Sequence, residues 1–200
     1  MRHEKTGVTQ ALIESAKKEF LTFGFNDSSL RRISANSGVS TNSIYTRFKD
    51  KAGLFEAVVS EAADGLMELY LAYIRPAREA LDMEVAIAQG NQGCDEVLAY
   101  IFRYKEEFIL LFCHSQGTKF QDYFDQLSKI EEEFYRFFVK KYGKKGEDIE
   151  AFFIHVQCRL GWQCIYEILS HDKSYEEALV FMENVRKFNF AGWKSLMGLK

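Results

Sequence analysis

Twenty-five residues, 27 to 51, constrain the fold more than any other part of this chain: Asp-Ser-Ser-Leu-Arg-Arg-Ile-Ser-Ala-Asn-Ser-Gly-Val-Ser-Thr-Asn-Ser-Ile-Tyr-Thr-Arg-Phe-Lys-Asp-Lys. They predict two short helices joined by a tight turn. Ser28 and Ser29 offer N-caps, Leu30 and Ile33 give one inward stripe, and Gly38 stops the helix where a left-handed residue is wanted. Val39 fills the corner, Ser40 caps the next helix, and Ile44 and Phe48 are its only clear core anchors. The rest of that helix is Thr41, Asn42, Ser43, Tyr45, Thr46 and Arg47. A helix with two anchors is held by its neighbours and turns hydrogen-bonding side chains outward. Reading base edges in a DNA major groove requires such a helix.

The surrounding pattern is helical throughout. Leu12, Ala16, Phe20 and Phe23 predict a first helix from about Thr9 to Phe23, ended by Gly24, with Phe25 closing a three-helix core. A fourth helix starts at Lys51, capped by Asp50, and returns Leu54, Phe55, Val58 and Val59 to that core. It runs on through Leu66, Leu69 and Tyr73 to Pro76, where a proline must break, kink or restart it. Weak helicity to Ala88 gives way to a break at Gly90-Asn91-Gln92-Gly93. Helices follow at about 94–104, 106–115, 119–142, 148–170 and 175–197, the last three separated by Lys144-Lys145-Gly146 and His171-Asp172-Lys173. The final two are apolar on more than one face, so residues 148–197 are expected to bury one face in a homodimer. Gly161 in mid-helix costs about 1 kcal/mol relative to alanine, which close helix–helix approach would explain. The expected fold is all-α: an N-terminal three-helix head with a helix-turn-helix in residues 1–50, then a C-terminal helical bundle for ligand binding and dimerisation in 51–200.

Charge agrees with that division. The net −3 splits into nine Lys or Arg against five Asp or Glu in residues 1–55, and seventeen against twenty-four in the remainder. A basic head on an acidic body fits nucleic-acid contact confined to one end. No run of about 18 uncharged apolar residues exists and Met-Arg-His-Glu-Lys is no signal sequence, so no membrane contact and a cytoplasmic location are expected. Cys94, Cys113, Cys158 and Cys164 lack CxxC spacing and read as buried free thiols. His114, His155 and His171 form no ligand-spaced set, so neither metal nor cofactor is expected. No nucleophile–base pair, glycine-rich phosphate loop or carboxylate dyad is spaced for catalysis, so no catalytic residue is assigned.

Several runs together resemble the TetR family of bacterial transcriptional regulators: Leu12-Ile13-Glu14-Ser15-Ala16 with Phe20, Phe23-Gly24-Phe25, Ser28-Ser29-Leu30-Arg31-Arg32-Ile33-Ser34, and Gly38-Val39-Ser40. Most specific is Ile44-Tyr45-Thr46-Arg47-Phe48-Lys49-Asp50-Lys51 with Leu54-Phe55 behind it. The chain departs from the family in carrying Thr41-Asn42 where Lys-Gly is common, and Thr46 and Arg47 where aromatic or His residues commonly precede the Phe. These departures alter which bases are read. The resemblance implies a homodimeric repressor on a pseudo-palindromic operator in double-stranded DNA, with Tyr45 touching phosphate through its hydroxyl.

Lys51 is a poor dipole choice at a helix N-terminus, and a nearby phosphate would explain it. Ser28, Ser29, Arg31, Ser40, Thr41, Asn42, Ser43, Thr46 and Arg47 complete the expected DNA-binding set, because helix N-termini bind phosphate and side chains beyond them reach bases. In the body, the aromatics Tyr100, Phe108, Phe112, Phe134, Trp162 and Tyr166, with the polar His155, Arg159 and Gln163 among them, are the expected ligand contacts. They suit an apolar, aromatic or cationic effector. The alternative is a small-molecule-binding or adaptor protein with a vestigial head, against which Arg47, Lys49 and Lys51 speak.

Overall fold

The computed structural model describes residues 6–144 and 149–199. The helices among them are α1 (Thr6–Asp27), α2 (Leu30–Ser37), α3 (Thr41–Phe48), α4 (Lys51–Glu79), α5 (Met83–Arg103), α6 (Lys105–Cys113), α7 (Tyr123–Tyr142), α8 (Ala151–Ser170) and α9 (Tyr175–Leu196). No strand occurs among the described residues, and none of their helices is long and apolar enough to cross a membrane. The chain divides into two compact units, residues 1–65 with 104–123, and residues 66–103 with 124–200.

In the first unit the apolar stripe Leu12, Ala16 and Phe20 of α1 is fully buried together with Ile33, Ile44, Leu54, Phe55 and Val59. Gly24 leaves the helical region (φ 69, ψ 173), so α1 kinks there before its last turn. The kink brings Phe25 back onto Phe20 and Phe55, with ring centroids 6.2 and 5.5 Å apart. Asp50 caps α4 as expected, its Oδ1 accepting the Gly53 N–H at 2.8 Å. Helix α6 packs on α1, where Lys17 Nζ reaches Glu107 at 2.6 Å and Glu106 at 3.4 Å.

Three expected boundaries are corrected. Helix α7 begins at Tyr123, not 119, because the buried Ser115 and Thr118 hydroxyls bond the intervening backbone into turns. Pro76 neither breaks nor restarts α4, which continues through it to Glu79. The carbonyls at and just past its end find donors in the second unit, where Lys141 Nζ donates to Arg78 and Ala80 at 3.1 and 2.5 Å, and Tyr142 donates to Ala80 at 2.9 Å. The Gly90–Gly93 break is absent too, since α5 runs through both glycines. Gly93 packs against α4: a Cβ there would lie 2.8 Å from the Tyr73 Cβ. The glycine serves close approach, not chain reversal. The expected start of a helix at 148 and part of the polar run at 144–146 lie outside the described residues.

In the second unit, Leu98, Ile101, Leu127, Ile154, Cys158, Trp162, Ile165 and Ile168 are buried. Helix α9 opens on a reciprocal capping box: Ser174 Oγ accepts the Glu177 N–H at 3.2 Å and Glu177 Oε2 accepts the Ser174 N–H at 2.9 Å. Not all of the apolar surface of α8 and α9 is covered. Phe152 (66 %), Val180 (63 %) and Phe188 (80 %) stand exposed, with Leu160 half-exposed.

Candidate nucleic-acid interface and cavity

Between α2 and α3 the chain turns on Gly38 at φ 67, ψ 15, the left-handed conformation its lack of a Cβ permits. Ser34 Oγ donates to the Val39 carbonyl at 2.5 Å and fixes the corner from inside. Ser40 then caps α3, accepting the Ser43 N–H at 3.3 Å. Helix α3 buries Ile44; Phe48 is half-buried. The remaining side chains face outward: Asn42, Tyr45 (55 % exposed) and Thr46 are exposed, and Thr41, Ser43 and Arg47 partly so. Thr46 Oγ1 already donates to the Asn42 carbonyl at 2.8 Å, so towards an external partner it acts best as an acceptor. Arg47 Nε donates to Thr9 Oγ1 at 3.2 Å, tying α3 to α1. Lys49 ends the helix at φ 70, an uncommon conformation for a residue with a Cβ, and its N–H donates to the Tyr45 carbonyl at 3.0 Å.

The start of α2 differs from the sequence reading. Ser29 holds the N-cap position without a side-chain cap bond, and Ser28 Oγ donates to the Phe25 carbonyl at 2.6 Å. The cap comes from α1. Glu19, only 4 % exposed, accepts the Ser29 N–H at 2.8 Å and Arg32 Nε at 2.7 Å. A carboxylate at a helix N-terminus meets the positive end of the dipole, so it outcompetes a serine hydroxyl. Lys51 closes the same corner, donating to the carbonyls of Asn26 and Ser28 at 3.0 and 3.1 Å above the Phe25 ring. Those carbonyls offset the unfavourable dipole without any phosphate. Arg31 projects from α2, exposed.

The second unit holds a cavity of about 160 Å³, with Phe134 and Trp162 in its wall. Of the other expected ligand contacts, Phe108 and Phe112 stack at 6.2 Å in the first unit, on and beside its core. Tyr100, Tyr166, His155, Arg159 and Gln163 lie in the second unit but do not line this cavity. Three of these have acidic partners: His155 with Glu132 at 2.8 Å, Gln163 with Glu167 at 2.7 Å, and Arg159 with Asp125. The polar residues that do line it are Glu131 and Arg186, among others the sequence reading passed over. Glu131 sits in the acidic triplet 131–133, which reads as a solvated face. Its position three and four residues before Phe134 and Tyr135 was the available signal for an inward carboxylate.

Burial raises the Glu131 pKa to about 8, although Tyr70 and Trp162 pull the other way as hydrogen-bonding neighbours. Its carboxylate oxygens lie 3.5 and 3.7 Å from where a Cβ on Gly161 would stand. A Cβ there would make only ordinary contact, so the close helix–helix approach expected at Gly161 is absent. The cysteines are not uniformly buried either: Cys158 is, but Cys94 is exposed and lines the cavity.

Comparison with known proteins bears on this geometry. Residues 12–58 match the model of the bacterial regulatory proteins of the tetR family. A BetI regulator of the helix-turn-helix type from Cronobacter sakazakii is 33 % identical over 82 residues, 40 % of this chain and 41 % of that one. The matched stretch thus spans well under two thirds of the relative. Among solved structures, a TetR-family regulator from Syntrophomonas wolfei superposes with a TM-score of 0.63 at 14 % identity, covering 92 % of this chain and 95 % of its own. PfmR from Thermus thermophilus gives 0.62 at 15 %, covering 88 % and 97 %. NalD from Pseudomonas aeruginosa, the secondary repressor of the MexAB-OprM multidrug efflux pump, gives 0.58 at 15 %, covering 88 % and 95 %. At such identities these likenesses carry the fold.

Proposed function

We propose, from the premise that this chain belongs by its head to the TetR family of bacterial transcriptional regulators, that it is a homodimeric repressor released from its operator by a small molecule. That family is one of regulators, not enzymes. The observation that carries the reading is α3, an eight-residue helix that buries Ile44 and presents Thr41, Asn42, Ser43, Tyr45, Thr46 and Arg47 outward after a left-handed Gly38. A major groove admits such a helix, and hydroxyl, amide and guanidinium groups read its edges. Ser40 and Ser43 at the N-terminus of α3, with Arg31 and Lys51, are assigned to phosphates. In this reading Lys51 keeps its carbonyl bonds and adds a phosphate.

Dimerisation through α8 and α9 is supported by Phe152, Leu160, Val180 and Phe188, which the monomer leaves exposed. A two-fold dimer sets two copies of α3 on a pseudo-palindromic operator. Helix α4 supplies residues to both units, so an effector in the second unit has a continuous element through which to bias the head. The test is selection of bound sequences from a random duplex pool, followed by titration of the selected site. Recovery of an inverted repeat bound in the nanomolar range supports the reading. A binding isotherm indifferent to sequence at every salt concentration overturns it.

A further inference from the structure

The cavity of the second unit has one acidic group in an otherwise mainly apolar wall. Tyr70 and Tyr73 from α4, Phe134 from α7 and Trp162 from α8 surround it, and Tyr70 and Trp162 meet edge to face at 5.2 Å. Glu131 enters from α7, with Gly161 leaving no side chain over its oxygens. The cation in the wall, Arg186, is held by Asp95 at 2.6 Å. Arg186 and Asp95 cancel, so any net charge the wall carries is that of Glu131 once it is ionised. Aromatic faces and a lone carboxylate attract the same class of ligand, since ring quadrupoles present negative faces and the carboxylate supplies the counter-charge. The volume is close to that of an engineered cavity of about 150 Å³ that admits benzene, which bounds the ligand at roughly ten non-hydrogen atoms.

We propose that this cavity is a site for a small organic monocation, an amine or quaternary ammonium, with Glu131 as its counter-ion. The proposal rests on the regulator reading above and names the chemical class of its effector. It also carries a signature that a neutral ligand would lack. With its pKa raised to about 8, Glu131 holds a proton in the empty site at neutral pH, and an entering cation must displace it. Affinity for a cation therefore rises with pH, by up to about tenfold per unit below 8, and binding releases a proton. A neutral ligand that accepts from the carboxylic acid shows the opposite slope. The other titratable groups around Glu131 do not mimic this. Tyr70, Tyr135, Cys94 and Cys158 are all pushed upward, chiefly by desolvation beside the apolar wall, and stay neutral. Tyr73 also faces the cavity, Arg186 is paired with Asp95, and the His155–Glu132 pair lies outside the wall.

Calorimetric titration of the full chain with benzylammonium, benzyl alcohol and benzoate tests this, since the three are similar in size and differ in charge. The expected result is benzylammonium at least tenfold tighter than the alcohol at pH 8, with benzoate weakest. Two buffers of different ionisation enthalpy should show a proton released at pH 7. Glu131→Gln, its folding checked by circular dichroism, should bind amine and alcohol within about threefold of each other. No benzylammonium binding at 5 mM, equal affinities in the wild type, or tighter binding at lower pH would overturn the site, and the proton release needs no variant. Operator affinity is measured separately. Cation binding that leaves it unchanged upholds the site and removes the effector role.

Discussion

Single side chains in the head are assigned two jobs, and substitutions separate them. Lys51 bonds two carbonyls of the α1–α2 corner and is also assigned a phosphate. A purely structural Lys51 predicts that Lys51→Ala lowers Tm alone. The phosphate assignment predicts weaker binding to every duplex, with the log–log salt slope reduced by about one unit. Binding at several salt concentrations, beside a thermal melt, distinguishes them. Tyr45→Phe, at an exposed position, is expected to weaken DNA binding with Tm unchanged. Glu19 offers the contrary case, because it faces inward and caps α2. Glu19→Ala strips the acceptor from Ser29 and Arg32 and should cost about 2 kcal/mol, or roughly 4–8 °C in Tm for a chain of this size.

Two glycines inside helices predict opposite outcomes at the scale of the element. At Gly93 a methyl would stand 2.8 Å from Tyr73 Cβ, so Gly93→Ala forces α4 and α5 apart and should destabilise by about 1–3 kcal/mol. At Gly161 the nearest atom is the Glu131 carboxylate at 3.5 Å, an ordinary contact. Gly161→Ala therefore keeps the helix gain and should stabilise by up to about 1 kcal/mol. Denaturant midpoints of the two variants check the pair, and a shared sign would contradict the packing described. For the outer faces of α8 and α9, Leu160→Glu combined with Phe188→Glu should yield a folded monomer by sedimentation. Ile165 and Val185 make poor tests, since both line the cavity and a charge there would damage the fold itself.

Across the whole molecule, Glu131 ties stability to pH. Its carboxyl keeps a proton up to about pH 8 in the folded chain, against a reference value of 4.5. Between those values the folded state binds more protons than the unfolded one, so this group's stabilisation is complete below 4.5 and lost as pH rises through 8. Glu131→Gln should remove most of that slope and raise Tm at pH 8.5, by about 2–4 °C for each kcal/mol recovered. A melt series from pH 5.5 to 8.5 reads it, and parallel curves for the two proteins would refute the inward carboxylate. A cation in the cavity should restore stability at high pH in the wild type alone.

Helix identity and the head were decided by the sequence. Leu12, Ala16 and Phe20 at helical spacing, Gly38 at a left-handed turn, Ser40 and Asp50 as caps, and a helix with few apolar residues are local features. Each is fixed by dihedral preference or by hydrogen bonds within four residues. What required the tertiary structure was every choice between two satisfactory partners. Serine at 28 or 29 could cap α2, but Glu19 from another helix binds the free N–H more strongly. Gly90 and Gly93 could break a helix, yet packing against Tyr73 makes Gly93 a contact inside one. Aromatics were legible as buried, but not which unit they join, so Phe134 and Trp162 meet at one cavity while Phe108 and Phe112 pack elsewhere. Glu131 was the hardest to see, because an inward carboxylate and a solvated one share the same local sequence. Only the apolar surroundings brought together by distant helices raise the proton affinity of one of them.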